Sequence, residues 1–156
     1  FPPQFIENRL RASPYIRDAI AIGDATRPHV TVLINIDAQI VGRYAESKGL
    51  AWGTFVDLSQ HPDVQALLQR TLSQINAQLD EHARVVSFAS FPKELDADDE
   101  ELTRSRKLRR EVIEQRYHGL IEAMYRGEEN CPVEVLVRYR DGTQAQVRAA
   151  VRITRV

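Results

Sequence analysis

The run YIRDAIAIGDATRPHVTVLINI, residues 15–36, decides how the rest of the chain must be arranged. From Tyr15 to Ile22 it is rich in Ile and Ala and stops at Gly23-Asp24, the pattern of a strand and its end. Val30, Val32, Ile34 and Ile36 then alternate, with Leu33 on the other face. A second strand therefore follows, paired with the first through the turn from Asp24 to Pro28.

On the N-terminal side, Pro2 and Pro3 precede Phe5, Ile6 and Leu10 at helical spacing, so a short helix leads to the turn at Ser13-Pro14. On the C-terminal side, Ala38 to Lys48 has helical composition and closes at Gly49. A loop holding Trp52 and Gly53 follows. The clearest helix begins near Ser59, with Pro62 in its first turn. Val64, Leu67, Leu68, Leu72, Ile75 and Leu79 share one face, and the helix is expected to run to about Leu79. Val85, Val86, Phe88 and Phe91 mark a third strand. A last helix carries Val112, Ile113, Tyr117, Leu120, Ile121 and Met124 on one side.

The end of the chain differs in character. Val133, Val135, Val137 and Tyr139 alternate with other residues, as do Ala145, Val147, Ala149, Val151 and Ile153, with Asp141-Gly142 between the two runs. A two-residue loop at Asp141-Gly142 would send the two apolar sets to opposite faces of the ribbon. A three-residue loop, Arg140-Asp141-Gly142 with Gly142 left-handed as a bulge, pairs Tyr139 with Thr143 and Val135 with Val147 on one face. That register is the expectation. A two-stranded ribbon is marginal alone, so its apolar face must lie against the main domain or a partner. The fold expected is α+β, a small mixed sheet of about three strands flanked by helices, with a C-terminal antiparallel β-hairpin. Residues 1–128 would form the domain proper and 129–156 its hairpin extension.

At 156 residues and 43% hydrophobic, the chain has material for one compact domain. Lys and Arg total 21 against 22 Asp and Glu, so the whole-domain field offers no general attraction to nucleic acid or anionic lipid. Any phosphate binding must be local. Cys131 is the only cysteine, which excludes an internal disulfide and fits a reducing, cytoplasmic compartment. No window approaches the ~20 apolar residues of a membrane span, and the N-terminus has no signal-peptide pattern. The chain opens on Phe1 rather than Met and already reads as a helix start, as expected of a piece of something longer.

The local charge lies in FPKELDADDEELTRSRKLRR, residues 91–110. Glu94, Asp96, Asp98, Asp99, Glu100 and Glu101 precede Arg104, Arg106, Lys107, Arg109 and Arg110, and the sign reverses at Leu102-Thr103. Such a segment is a surface loop feeding a helix. It has three readings: a solvated loop with compensating charges, a phosphate-handling lysine loop, or a nucleic-acid patch. Lys107 is the candidate catalytic group, a compact point charge on a flexible stem flanked by Arg106 and Arg109. On composition alone the solvated surface is favoured.

Other chemistries fare worse. His29, His61, His82 and His118 have no metal-ligand spacing among themselves or with Cys131, so no metal site is expected. Ser13, Ser59 and Ser105 lack a glycine-framed nucleophile elbow. The seven glycines are scattered and form no phosphate cradle, and the acidic run lacks the glycine and alternation of a calcium loop. Trp52 reads as a packing or rim residue.

Three separated blocks now converge. PQFIENRLRASPYIRDAIAIGD resembles the segment that opens the small C-terminal domain of adenylate-forming enzymes, where a Pro-x-x-Ile-Glu-x-x-Leu helix leads into a strand. HPDVQALLQRTLSQINAQL and FASFPKELDADDEELTRSRKLRREVI resemble the later part of that domain in bacterial long-chain fatty acyl-CoA synthetases. The resemblance covers about Pro3 to Tyr125. It implies an enzyme that joins a fatty acid to ATP as acyl-adenylate and passes the acyl group to the thiol of coenzyme A, with the small domain rotating between the two half-reactions. It also implies that Lys107 is the lysine inserted beside the carboxylate and α-phosphate. Arg106 departs from the family pattern, in which glycine is common before that lysine.

By the same resemblance, ATP, coenzyme A and magnesium belong to the full-length enzyme, with none expected bound to this chain alone. Its partners would be the N-terminal adenylation domain of the same polypeptide and the fatty acid substrate, with no nucleic acid, no transmembrane segment and room for peripheral membrane association of the whole enzyme. Without the large domain the chain is expected to be inactive. The alternative is a non-catalytic module in which Arg104 to Arg110 binds nucleic acid or an acidic protein face. Near-zero net charge and the lack of aromatics interleaved with the run stand against it.

Overall fold

The computed structural model describes residues 2–139 and 141–156, with only the backbone of Val137 and Arg138. The elements follow in the order α1 (Pro3–Arg11), β1 (Ile16–Ile22), β2 (Val30–Ile36), α2 (Ala38–Ser47), α3 (Phe55–Ser59), α4 (Pro62–Asn76), β3 (Val85–Ser90), α5 (Arg110–Arg116), α6 (His118–Tyr125), β4 (Asn130–Arg138) and β5 (Gln144–Arg155). The fold is α+β. One mixed sheet has the order β1-β2-β3-β5-β4, with β2 parallel to β3 and the other neighbours antiparallel.

The expected strand pair is present, and its apolar faces explain the layering. Val30, Val32, Ile34 and Ile36 of β2 bury against α1, α2 and α4, together with Ile6, Leu10, Val41, Leu68 and Phe88. Leu33 faces the other way, into a second core of Phe91, Leu95, Leu102, Ile113, Tyr117, Leu120 and Ile121. Helices thus cover both faces. In β1 a bulge at Arg17 separates the pairs Ile16–Ile36 and Asp18–Asn35. An extra residue in one strand reverses the alternation. Ile16 consequently lies with Ala19 and Ala21 in the first core, while Asp18 shares the parity of Ile20 and Ile22 on the second.

Two expectations about the sheet and the helices are corrected. The sheet is larger than the expected three strands, because the end of β5 pairs with β3 through Ser87–Arg155, Phe88–Thr154 and Ala89–Ile153 and the hairpin strands join it to make five. This solves the marginal stability of a lone ribbon by extending an existing hydrogen-bond ladder. The hairpin register is as expected: Val135 pairs with Val147, the Tyr139 amide donates to the Thr143 carbonyl at 2.9 Å, and Gly142 has φ 87°. The remaining loop residue of that expectation, Arg140, lies outside the described residues.

The helix expected from near Ser59 to about Leu79 is shorter, Pro62–Asn76, and Ser59 closes α3 instead. The Ser59 hydroxyl donates to Val56 O at 3.3 Å within α3, and the cap of α4 is His61, whose Nδ1 accepts from the Asp63 amide at 3.1 Å. Asn76 ends α4 early by exchanging two 2.8 Å bonds with the backbone of Val85. The last helix also divides at Tyr117, where φ −103° and ψ 21° leave helical values while the ring packs edge-on against Phe91 at 4.9 Å.

Leu68 is fully buried between α4 and the sheet. Leu68→Ala should cost about 2–5 kcal/mol in urea denaturation. Tyr139→Ala, at a position 45% exposed on the hairpin, should stay within about 0.5 kcal/mol.

Candidate functional site

The segment between β3 and α5 is neither extended nor simply solvated. Leu95 and Leu102 sink into the second core, and the acidic half folds around a carboxylate that is wholly out of water. Glu101 Oε1 receives Lys93 Nζ at 2.7 Å and the Asp96 amide at 3.2 Å, and Oε2 meets Arg116 Nη1 at 3.2 Å. Lys93 also holds Asp99 at 2.8 Å, and Arg116 donates to the Asp99 carbonyl at 2.7 Å. The reading of the acidic run as solvated charge is therefore wrong for Glu101. A carboxylate can leave water only with a cation and hydrogen bonds in place of hydration, and here two cations from different elements supply them.

The Tyr117 hydroxyl stands 3.5 Å from Glu101 Oε2, and burial, reinforced by that negative charge, pushes its ionisation well above the ordinary tyrosine range. Burial also raises Tyr125, whose hydroxyl donates to the carbonyls of Ile22 and His29 at 3.0 and 2.8 Å.

The basic half begins with a tight loop. Leu102 and Leu108 form an antiparallel bridge, the Thr103 amide donates to Lys107 O at 2.8 Å, and the Arg106 amide donates to Thr103 O at 2.9 Å. The Lys107 amide returns a bond to Thr103 Oγ1 at 3.0 Å. Arg104, Ser105 and Arg106 are the loop, and Arg106 has φ 65°. The same pattern occurs at the hairpin, where the Gly142 amide donates to Tyr139 O at 3.0 Å across the loop ending in Gly142. An arginine thus stands at a position whose left-handed backbone favours glycine.

Lys107 is exposed, with its backbone fixed at both amide and carbonyl and its side chain unpaired among the described residues, three residues before α5 begins at Arg110. Two of its basic neighbours turn inward. Arg106 forks onto Asp18 of β1 with contacts of 2.9 and 3.1 Å. Arg110 reaches Glu7 of α1 at 2.6 Å and Ala21 O at 3.2 Å. Of the five cations, Arg104, Lys107 and Arg109 remain exposed. That division weakens the nucleic-acid reading, whose motivation was a run of five charges, by leaving three of them exposed. Asp18, Glu7 and Glu101 are the residues sequence reasoning overlooked. Glu7 stands in the Pro-x-x-Ile-Glu-x-x-Leu string and Glu101 in the charge run, and Asp18 is an acid at an inward position of β1, but nothing local named their partners.

The other candidates fall out as packing. Among the described residues no group of three His, Cys, Asp or Glu could hold a metal ion. His29 stacks on Tyr125 with ring centres 4.9 Å apart, and Trp52 abuts Gly42, where a Cβ would lie 3.2 Å from the indole. An open groove of about 660 Å³ runs between Trp52, Phe55, Pro92, Leu136 and Tyr139, and Lys107 is not on its wall.

Residues 1–129 match the family model of the AMP-binding enzyme C-terminal domain. The chain is 31% identical over 127 residues to the long-chain-fatty-acid–CoA ligase FadD15 of Mycobacterium tuberculosis (strain ATCC 25618 / H37Rv), a match covering 81% of this chain and 21% of that protein. The ligase of the same name from Mycobacterium bovis matches equally. The chain thus spans about a fifth of the length of these relatives. Its fold is shared with the A domain of carboxylic acid reductase from Segniliparus rugosus, solved with AMP and a co-purified carboxylic acid, at TM-score 0.63 and 16% identity over 81% of this chain and 18% of that one. The adenylation domain of the Mycobacterium chelonae carboxylate reductase gives TM-score 0.59 and 22% identity over 79% and 17%. No described helix is long and apolar enough to cross a membrane.

The raised Tyr117 and Tyr125 predict a late alkaline step. Both favour the protonated form when folded, so their contribution to stability is complete below the unfolded value of about 10 and is lost as pH climbs through the folded values. Spectrophotometric titration should show late-ionising tyrosine, with Tyr117→Phe removing one late step. Five tyrosines titrating together would overturn the assignment.

Proposed function

This chain belongs to the AMP-binding enzyme C-terminal domain family, and on that premise we propose that it is the mobile lid of a long-chain fatty acid:CoA ligase, with Lys107 as the lysine of the adenylation half-reaction. What carries the reading is an exposed ammonium on a loop whose backbone is locked by its own hydrogen bonds. Such a group can be presented to a second surface without losing its own geometry.

The chemistry needs that group. In the first half-reaction a carboxylate oxygen of the fatty acid attacks the α-phosphorus of ATP, and the bond to pyrophosphate breaks. Two anions must approach each other, and a fixed ammonium between them offsets their repulsion and aligns the attack. In the second, the sulfur of coenzyme A attacks the acyl carbon and AMP departs. The thiol then needs the space the lysine occupied, which a lid can vacate by rotating.

ATP, the acyl chain and coenzyme A would meet on the large domain. The residues described here do not fit a magnesium site, so no step is routed through the ion. The groove beside Trp52 is open and is not walled by Lys107, consistent with a reaction centre completed by another domain.

In the full-length enzyme, Lys107→Ala should slow acyl-adenylate formation about 100-fold or more. It should leave thioester formation from supplied acyl-adenylate nearly intact, and equal losses in the two would sink the assigned role. Residues 1–156 alone should make no acyl-CoA from ATP, fatty acid and coenzyme A, and thioester formation by them would show that the large domain is dispensable.

A further inference from the structure

Lys107 is fixed at its backbone, yet the loop carrying it contains one unfavourable residue. Arg106 sits at φ 65°, a region a side-chain-bearing residue occupies only where its surroundings hold it. Its guanidinium supplies the holding force. Nη1 lies 2.9 Å from Asp18 Oδ1 and 3.1 Å from Oδ2, and Nη2 lies 3.1 Å from Oδ2. Asp18 is a firm anchor. Its side chain is 5% exposed, the β1 bulge aims it, and Asn35, its partner across the ladder, donates Nδ2 to Oδ2 at 2.9 Å.

We propose that Arg106 and Asp18 are positioning residues for Lys107, joining the lysine loop to the sheet so that the ammonium is presented at a set place. This inference rests on the reading that Lys107 acts in adenylation. The Arg106 amide closes the turn on Thr103, and the next peptide belongs to Lys107, so a rotation at Arg106 is transmitted directly to the lysine. The fork suppresses that rotation because both nitrogens of a planar guanidinium are engaged by one carboxylate. A lysine at position 106 could reach Asp18 but would meet it as a point charge, without fixing direction.

The pair differs from an ordinary surface ion pair in two ways. Asp18 is buried, and the cation is tied to a backbone conformation it would otherwise leave. Without the fork, Arg106 would relax toward a commoner conformation, and Lys107 would sample several positions. The loss should fall on the step that uses the ammonium, and on its rate rather than on substrate binding.

The test uses the full-length enzyme with Arg106→Met, Asp18→Asn, the double variant and Lys107→Ala in parallel. Acyl-adenylate formation and thioester formation from supplied acyl-adenylate are measured separately. Each single variant should lower kcat for adenylation about 10- to 100-fold, with KM for ATP and fatty acid little changed and the second half-reaction retained. The double variant should be no worse than the more impaired single one, because both remove one contact. Arg106→Lys should recover part of the rate. If Arg106→Met does not fold, Arg106→Gly keeps the turn while removing the anchor, and carries the same expectation.

Equal losses in the two half-reactions, additive losses in the double variant, or full adenylation rates in both single variants would overturn the proposal. If Lys107→Ala is impaired while the Arg106 and Asp18 variants are not, only the positioning role fails. If Lys107→Ala itself is unimpaired, the reading of the site fails first.

Discussion

A carboxylate taken out of water must bring a cation with it, and three such carboxylates organise this domain. Glu7 on α1, Asp18 on β1 and Glu101 in the charged segment are each almost wholly covered, and each is met by a cation from residues 93–116. Burial of an ion pair costs about as much solvation as its attraction returns, so these contacts add little net stability. Their contribution is to arrangement. Leaving one of the carboxylates unpaired would cost roughly 3–5 kcal/mol, which disfavours alternative paths for the segment over the sheet. A chain stretch with few apolar residues is thereby given one conformation.

The same constraint separates the two ends of the sheet. Arg106 and Arg110 attach the lysine loop to β1 and α1 at one edge, whereas the β4–β5 hairpin closes the other edge beyond β3. The groove beside Trp52, Leu136 and Tyr139 is walled by the hairpin and by Lys93, Glu94, Asp96 and Asp99, and by no residue of the lysine loop. The lysine loop and the groove are therefore distinct surfaces, and only the first carries the chemistry proposed for the adenylation step.

Two loops of this chain solve the same turn differently. The hairpin uses Gly142, which accepts φ 87° without steric cost, and has open space around it. The lysine loop uses Arg106, at a cost of about 1–2 kcal/mol for the left-handed backbone. A glycine would close the turn but could not reach Asp18. Arginine adds a fixed direction to the turn, which is useful only if the position of its neighbour matters.

Local pattern was enough for much of the fold. Apolar runs with their stops named β1 and β3, and alternation named β2 and the hairpin, including the Val135–Val147 register, because one-residue slips in a half-buried ribbon exchange its faces. Helical spacing found α1 and the apolar stripe of α4, and composition with the Gly49 stop found α2. The sequence also singled out Lys107, through blocks whose order resembled a family and through a charge reversal visible in the chain itself. Only the tertiary structure decided that the hairpin extends the sheet, that α4 starts after His61, and that Glu101 is buried while the other carboxylates of the run are not. It alone joined Asp18 to Arg106 and Glu7 to Arg110. The physical reason is range: periodicity and capping act over a few residues, whereas a buried carboxylate recruits its cation from wherever the fold brings one, here 88 and 103 residues away.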